Sequence, residues 1–361
     1  MSDGIEFLTL QEIVARGRKN LPQGAWDYLV GATESETTMR RNRLALDCIA
    51  FRPRVLRDVS KIDPSGSLLG QKLRIPVLLA PIGSVESFSP GGGAASAKAA
   101  ERAGVAHMLS SRCAPGLEEV AKAADNARIF QLYVRGDDAF VDDYAQRAVA
   151  NGYYAFCITI DSALYSRRER DLANRFVKPW RQLATGTDFQ AMFTWDNVRR
   201  FKEKHSIPLI LKGIETAEEA DKACAMGVEG IYVSNHGGRQ LDQGPGTMDV
   251  LPEIVSAVNR RAAVIVDGGF CRGTDILKAI AMGADCVGLG RLQGWALAAG
   301  GVDGMVRALE ILEDEIRIAM GLLGVDRLDK LDPSYLIPAE PVCEPHVASA
   351  FPHLDWARDA Y

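Results

Sequence analysis

The chain has 361 residues and a formal net charge of −5 at pH 7, a balance that argues against a nucleic-acid partner or a strongly basic membrane patch. Its seven cysteines (Cys48, Cys113, Cys157, Cys224, Cys271, Cys286 and Cys343) form no CxxC pair, which fits a reduced, cytoplasmic protein without a metal centre better than a disulfide framework or a zinc site. The opening MSDGIEFLTLQEIVARG has no charged-then-apolar signal pattern, and no apolar run approaches the ~20 residues that span a bilayer, so no membrane partner is expected.

Residues 1–74 read as an N-terminal extension, with helices near 9–17 and 22–31 and a later segment FRPRVLRDVS. From residue 75 the pattern changes. Short, nearly continuous apolar runs alternate with Ala-rich, charged segments of helical period. The runs are IPVLLAPIG (75–83), VAHMLSS (105–111), RIFQLYV (128–134), YAFCITID (154–161), PLILKG (208–213), GIYVSN (230–235), AVIVDGG (263–269) and CVGLGR (286–291). Each has the length and composition of a parallel strand buried on both faces. Eight βα units predict a closed (β/α)8 TIM barrel over residues 75–320, with an open eight-stranded sheet as the alternative. The longest connection inside the repeat, 162–194, follows the fourth strand and is expected to act as a lid or substrate wall. Its aromatic and apolar residues Trp180, Phe189, Met192 and Phe193, with Trp195 just beyond, suit an apolar lid or packing on the barrel. Residues 321–361 are less periodic and read as a tail wrapping the barrel or a neighbouring subunit. No linker separates a second domain, so the chain reads as one.

Catalytic groups of such a barrel sit at the C-terminal ends of its strands. Strand three ends Gln131-Leu132-Tyr133, strand four Thr159-Ile160-Asp161 and strand five Lys212-Gly213. Strand six runs into Ser234-Asn235-His236-Gly237-Gly238-Arg239, strand seven ends Asp267-Gly268-Gly269, and strand eight ends Gly290-Arg291. Singly, Thr159 or Tyr133 could be ordinary filling; their joint placement at one rim argues for a site. The last two strands carry DGGFCRGTD and GLGR. Glycines there let the backbone approach an anion, a helix start supplies positive potential, and Arg291 can bind a phosphate bidentately. In SNHGGRQLD an imidazole and a guanidinium stand three residues apart on one loop. Histidine is the usual base near neutral pH, and arginine matches a carboxylate.

Together these segments resemble the FMN-dependent 2-hydroxy acid oxidase and dehydrogenase family, to which glycolate oxidase, lactate oxidase and mandelate dehydrogenase belong. The resemblance runs from WDYLVGA (26–32) through FRPR, LLAPIG, FQLYV, the T-x-D and RRERD segment, LKGI, SNHGGRQLD and DGG-x-x-RGTD to GLGR. It implies an FMN cofactor and a small 2-hydroxy acid substrate, with electrons passed to oxygen or another acceptor. It implies His236 as base, Asp161 orienting it, and Arg239 and Arg168 holding the substrate carboxylate with help from Tyr28. Tyr133 would hydrogen-bond the substrate hydroxyl, and Lys212 would favour negative charge on the flavin. Pro81, Ile82 and Gly83, with Ser110, Gln131, Thr159 and Ser234, would hold the flavin ring. Asp267 would contact the ribityl chain, and Gly269, Gly290 and Arg291 the phosphate. Family members are usually homotetramers or homo-octamers.

Three positions depart from the family pattern. Cys271 stands where an arginine is frequent, leaving Arg272. Arg112 stands where a bulky residue is frequent, and Tyr165 where an apolar one is usual. Arg112 and Tyr165 are expected either to make a polar pocket for an unusual substrate tail, or, for Arg112, to face solvent. A related FMN barrel that oxidises a C–N bond of an amine or peptide-linked substrate is the alternative function, because the same base could serve. A flavin-binding protein without catalysis would lack the base or the clamp, and this chain lacks neither.

Overall fold

The computed structural model describes residues 7–176 and 189–354. All eight apolar runs are strands: Val77–Leu79, Ala106–Ser110, Arg128–Leu132, Ala155–Thr159, Leu209–Ile214, Gly230–Val233, Ala263–Val266 and Cys286–Leu289. They pair in parallel in chain order and close when the eighth pairs with the first, Val287 opposite Val77 and Leu289 opposite Leu79. The closed barrel therefore replaces the open-sheet alternative.

The alternation along each strand explains why the runs are apolar throughout. Leu78, Met108, Ile129, Cys157, Ile210, Tyr232, Ile265 and Cys286 share one inner cluster. Their chain neighbours Val77, Leu109, Phe130, Phe156, Leu211, Val233, Val266 and Val287 belong to the outer core under the helices. Neither face meets water, so neither can be polar. An antiparallel hairpin, Gly66–Leu68 with Gln71–Leu73, adds Leu68 and Leu73 to the inner cluster and so plugs that core from the N-terminal side.

The extension holds three helices. The first, α1 (Leu10–Asn20), is started by a Thr9–Glu12 capping box and packs on the helical stretch Arg291–Leu323, which kinks at Gly300 and Gly301. The second, α2 (Gln23–Val30), carries Tyr28. The third, α3 (Thr37–Asp47), was not anticipated. Its sequence TTMRRNRLALD buries Asn42 and Arg43 alongside Met39 and Leu46, so its buried face lacks a clear apolar period. The tail wraps back onto the extension, with Leu336–Pro338 antiparallel to Ile49–Phe51. Within 162–194, Trp180 lies outside the described residues.

Candidate active site

A cavity of about 440 Å³ lies at the C-terminal ends of the strands. Among the described residues it is lined by six arginines (Arg43, Arg112, Arg135, Arg168, Arg239, Arg291) and Lys212, against the single carboxylate Asp267. Such a lining calls for anionic ligands.

At its centre three side chains form a hydrogen-bonded chain. Tyr133 Oη lies 3.0 Å from His236 Nε2, and His236 Nδ1 lies 3.0 and 3.1 Å from the two Asp161 carboxylate oxygens. An ionised carboxylate only accepts, so Nδ1 carries the proton and Nε2 keeps its lone pair toward Tyr133 and the cavity. Burial pulls the His236 pKa below its ordinary value; Asp161 opposes this, and Lys212 adds to it. The base is therefore neutral at rest. Asp161 is held below the usual carboxylate range: burial pushes it up, but His236, Lys212 and Ser162 outweigh that. Burial pushes the Tyr133 phenol well up, so it stays protonated.

The backbone here is under constraint. His236 has a φ of +58°, a region that non-glycine residues seldom occupy, and its N–H donates to Ser234 Oγ at 3.1 Å. Gly213, at a register shift in the fifth strand, has a φ of +113°. A Cβ there would stand 2.6 Å from Asp161 Cβ, so glycine lets the carboxylate take its place.

Arg239 lies over the Tyr28 ring, its Cζ 4.9 Å from the centroid, and donates to Gly31 O at 2.6 Å. Arg168 donates to Gln240 Oε1 at 3.1 Å and to Arg239 O at 3.2 Å. Burial first, then the Arg168 charge, lowers the Arg239 pKa. A bound carboxylate would relieve both effects. Tyr28 donates from Oη to Gly83 O at 2.9 Å, joining the extension to the loop after the first strand.

The expected flavin-side residues divide into two sets. Pro81, Ile82, Gly83, Lys212, Asp267, Gly269, Gly290 and Arg291 line the cavity. Ser110, Gln131, Thr159 and Ser234 are buried behind it. Gln131 Nε2 donates to Thr159 Oγ1 at 2.8 Å, while Gln131 Oε1 is buried without a partner among the described residues. Ser234 Oγ accepts from Lys212 Nζ at 2.6 Å and donates to Asp267 at 2.7 Å. Burial pulls Lys212 down, but Asp267 and Asp161 outweigh it and keep it protonated.

The phosphate end fits an anion. Gly290 caps the helix that starts at Arg291, and a Cβ on Gly290 would meet nothing within 4 Å. A helix start with open space before it is an anion site. Arg291 donates to the carbonyls of Val30, Gly31 and Gly237 at 3.1, 2.9 and 3.0 Å, and burial with the Arg239 charge pulls it down to about 9. An anionic group beside it would restore its charge preference. Arg272, which remains beside Cys271, does not line the cavity and pairs with Glu315 at 2.5 Å. Cys271 is buried at the cavity wall, and its N–H donates to Asp275 at 3.0 Å. In place of the missing arginine, Arg43 from α3 reaches the same corner. It donates to Gly269 O at 3.2 Å and pairs with Asp275 at 2.8 and 2.9 Å.

Arg43 was missed by sequence reasoning, as were Asn42, Gln190 and Arg135. Asn42 and Asn235 exchange amide hydrogen bonds at 2.9 and 2.8 Å, locking α3 to the base-bearing loop. Gln190 accepts from Val134 N at 2.7 Å and donates to Thr159 O at 2.8 Å, pinning the loop after the fourth strand across two strand ends. A single asparagine or glutamine carries no signal of such a role. Phe189 lines the cavity, whereas Met192 is exposed. Arg112 and Tyr165 both line it, which supports the polar-pocket expectation over the solvent-facing one.

An eightfold barrel with an open, glycine-led helix start after its last strand and a largely buried histidine after its sixth has the architecture of an enzyme that can hold a phosphate-bearing cofactor. The chain belongs to the FMN-dependent dehydrogenase family, whose profile matches residues 17–338. An L-lactate oxidase from Nostoc sp. is 38% identical over 356 residues, covering 91% of this chain and 98% of the relative. Glycolate oxidase 1 of Zea mays is 38% identical over 354 residues, covering 92% and 96%. A solved mandelate oxidase with benzoyl-formic acid superposes with a TM-score of 0.86 at 36% identity, covering 94% of this chain and all of that one. The protein is an FMN-dependent oxidoreductase, and the lining described above fits that cofactor.

Proposed function

We propose that this protein oxidises an (S)-2-hydroxy acid to the 2-oxo acid on FMN, with His236 as base, and passes the electrons to oxygen or another acceptor. The observation that carries the reading is the Tyr133–His236–Asp161 chain set in a cavity that Arg168 and Arg239 also line. Similar proteins include oxidases of lactate and glycolate, and a mandelate oxidase solved with (S)-2-phenylpropionate.

FMN, when bound, supplies the two-electron acceptor. The protein's groups do the rest. Arg168 and Arg239 fix the carboxylate and so aim the α-carbon, removing much of the entropic barrier. Tyr133 donates to the substrate oxygen. His236 Nε2 takes a proton, and Asp161 stabilises the resulting imidazolium. Lys212, a buried cation at the cavity wall, favours electron uptake by the flavin. Gln131, Thr159, Ser110 and Ser234 support the wall against which the ring would lie. Gly269, Gly290 and Arg291 would hold the phosphate, and Pro81 to Gly83 and Asp267 would line the rest of the cofactor.

Among the described residues no helix is long and apolar enough to cross a membrane, and all seven cysteines are free. The free thiols support a cytoplasmic location, and the family resemblance supports a homotetramer or homo-octamer.

Anaerobic bleaching of the yellow protein with small (S)-2-hydroxy acids tests the proposal, and admission of air then separates acceptors. Bleaching by hydroxy acids with prompt return of colour in air is the oxidase outcome; slow return indicates another acceptor. Bleaching by amines and by no hydroxy acid overturns the reading.

A further inference from the structure

Tyr232 is fully buried in the inner barrel cluster beside Cys157, Ile210, Ile265 and Cys286, and its hydroxyl has no hydrogen-bond partner among the described residues. An aliphatic side chain would fill such a layer without desolvating an O–H. The groups above it, at the cavity wall, are charged. Tyr232 pairs in register with Lys212 on the neighbouring strand, and Lys212 Nζ stands 5.0 Å from its ring centroid. Lys212 Nζ is in turn 3.5 Å from Asp267 Oδ2, while Asp267 Oδ1 accepts from Ser234 at 2.7 Å. The hydroxyl end lies against Gly288. A Cβ on Gly288 would collide with Tyr232 Oη and would stand 3.2 Å from Asp267 Cβ, so glycine there gives the phenol room beside Asp267. Lys212, Asp267 and Gly288 line the cavity, and Tyr232 stands behind them. Burial first, then Asp267, holds the phenol well above its ordinary pKa, so it stays protonated and toward a carboxylate can only donate. A carboxylate offers about four lone-pair positions, which leaves Asp267 room for a further donor.

We propose that Tyr232 is a positioning residue for Lys212: its ring lies beside the ammonium and its hydroxyl serves Asp267, which keeps that carboxylate from neutralising the cation and so raises the reduction potential of the bound flavin. This rests on the role given above to Lys212 and deepens it. No electron or proton passes through Tyr232. The hydroxyl draws off part of the negative charge of Asp267, and Lys212 keeps more of its positive field for the cavity.

The test is Y232F, which keeps the ring and removes only the hydroxyl. The control is Y154F: Tyr154 Oη is also buried without a partner among the described residues, but it precedes the fourth strand and so lies at the end of the barrel away from the cavity. The two-electron midpoint potential of the bound flavin is read against a redox dye during slow anaerobic reduction. A hydrogen bond to a charged group is worth roughly tenfold or more, and the flavin feels this one only through Lys212. The reduction equilibrium should therefore fall by roughly 3- to 10-fold in Y232F, a potential about 15–30 mV lower. Affinity for oxidised FMN, read from the fluorescence of released flavin, should stay within about threefold of the parent, and Y154F should change neither quantity. A potential in Y232F equal to that of Y154F, or higher than that of the parent, overturns the proposal. So does a Y232F protein that unfolds or cannot hold FMN, because the hydroxyl is then structural. K212M separates this inference from the reading beneath it. A lower potential in K212M with none in Y232F removes the inference alone, whereas an unchanged potential in K212M removes the role of Lys212 and the inference with it.

Discussion

Replacing Asp161 by Asn probes the centre of the proposed chemistry, because the side-chain shape is kept and only the charge is lost. The carboxylate oxygens lie 3.0 and 3.1 Å from His236 Nδ1, and the pair is largely shielded from water. A unit charge pair at about 4 Å in an effective dielectric of about 20 is worth about 4 kcal/mol. An amide dipole keeps part of that, so the imidazolium forming in the transition state loses up to about 4 kcal/mol, or up to about 10³ in rate. The pH dependence has a definite sign. Burial lowers the His236 pKa, and Asp161 is the neighbour that holds it up. Without the carboxylate the imidazole is harder to protonate, so the acidic limb of kcat/KM moves to lower pH while the plateau falls. Anaerobic stopped-flow bleaching across pH reads both, on protein whose visible spectrum shows retained flavin. A plateau within tenfold of the parent, or an acidic limb that moves to higher pH, refutes the assigned role.

Arg239→Met should raise KM more than it lowers kcat and cost about 10- to 100-fold in kcat/KM, the worth of a charge-assisted hydrogen bond; steady-state kinetics with the best hydroxy acid decide it. Gly213→Ala should lower stability by about 1–3 kcal/mol, because alanine would occupy a φ of +113° with its Cβ against Asp161; urea unfolding measures this. Arg43→Met removes the paired cation of the buried Asp275 and should destabilise by about 3–5 kcal/mol, while the double change with Asp275→Asn, which removes the charge and keeps an oxygen for the Cys271 and Arg272 N–H groups, should recover much of the loss. The same unfolding series shows whether the two are coupled.

The barrel was legible because it is repetitive. Each strand is buried on both faces, so each is an apolar run, and eight runs separated by helical segments leave few topologies. The main site residues were legible for a related reason: a short strand places its last residues at the rim, and chain order alone put Tyr133, Asp161, Lys212 and His236 on one side. Local sequence also marked Gly269 and Gly290, which line the cavity, because a glycine turn at a strand end is a local feature.

Only the tertiary structure decided what long-range contact creates. Helix α3 brings Arg43 to the corner where Cys271 stands, and Asn42 ties that helix to the loop of His236, although some 190 residues separate them in the chain. Arg272, three residues past Gly269, pairs with Glu315 and does not line the cavity. Whether Arg112 met solvent or the cavity depended on closure of the ring, which brings the ends of all eight strands to one rim. Composition and period report which faces are buried; they carry no record of which polar side chains meet across the fold. Those meetings depend on distances between elements remote in sequence, and they decide which cations a substrate finds waiting.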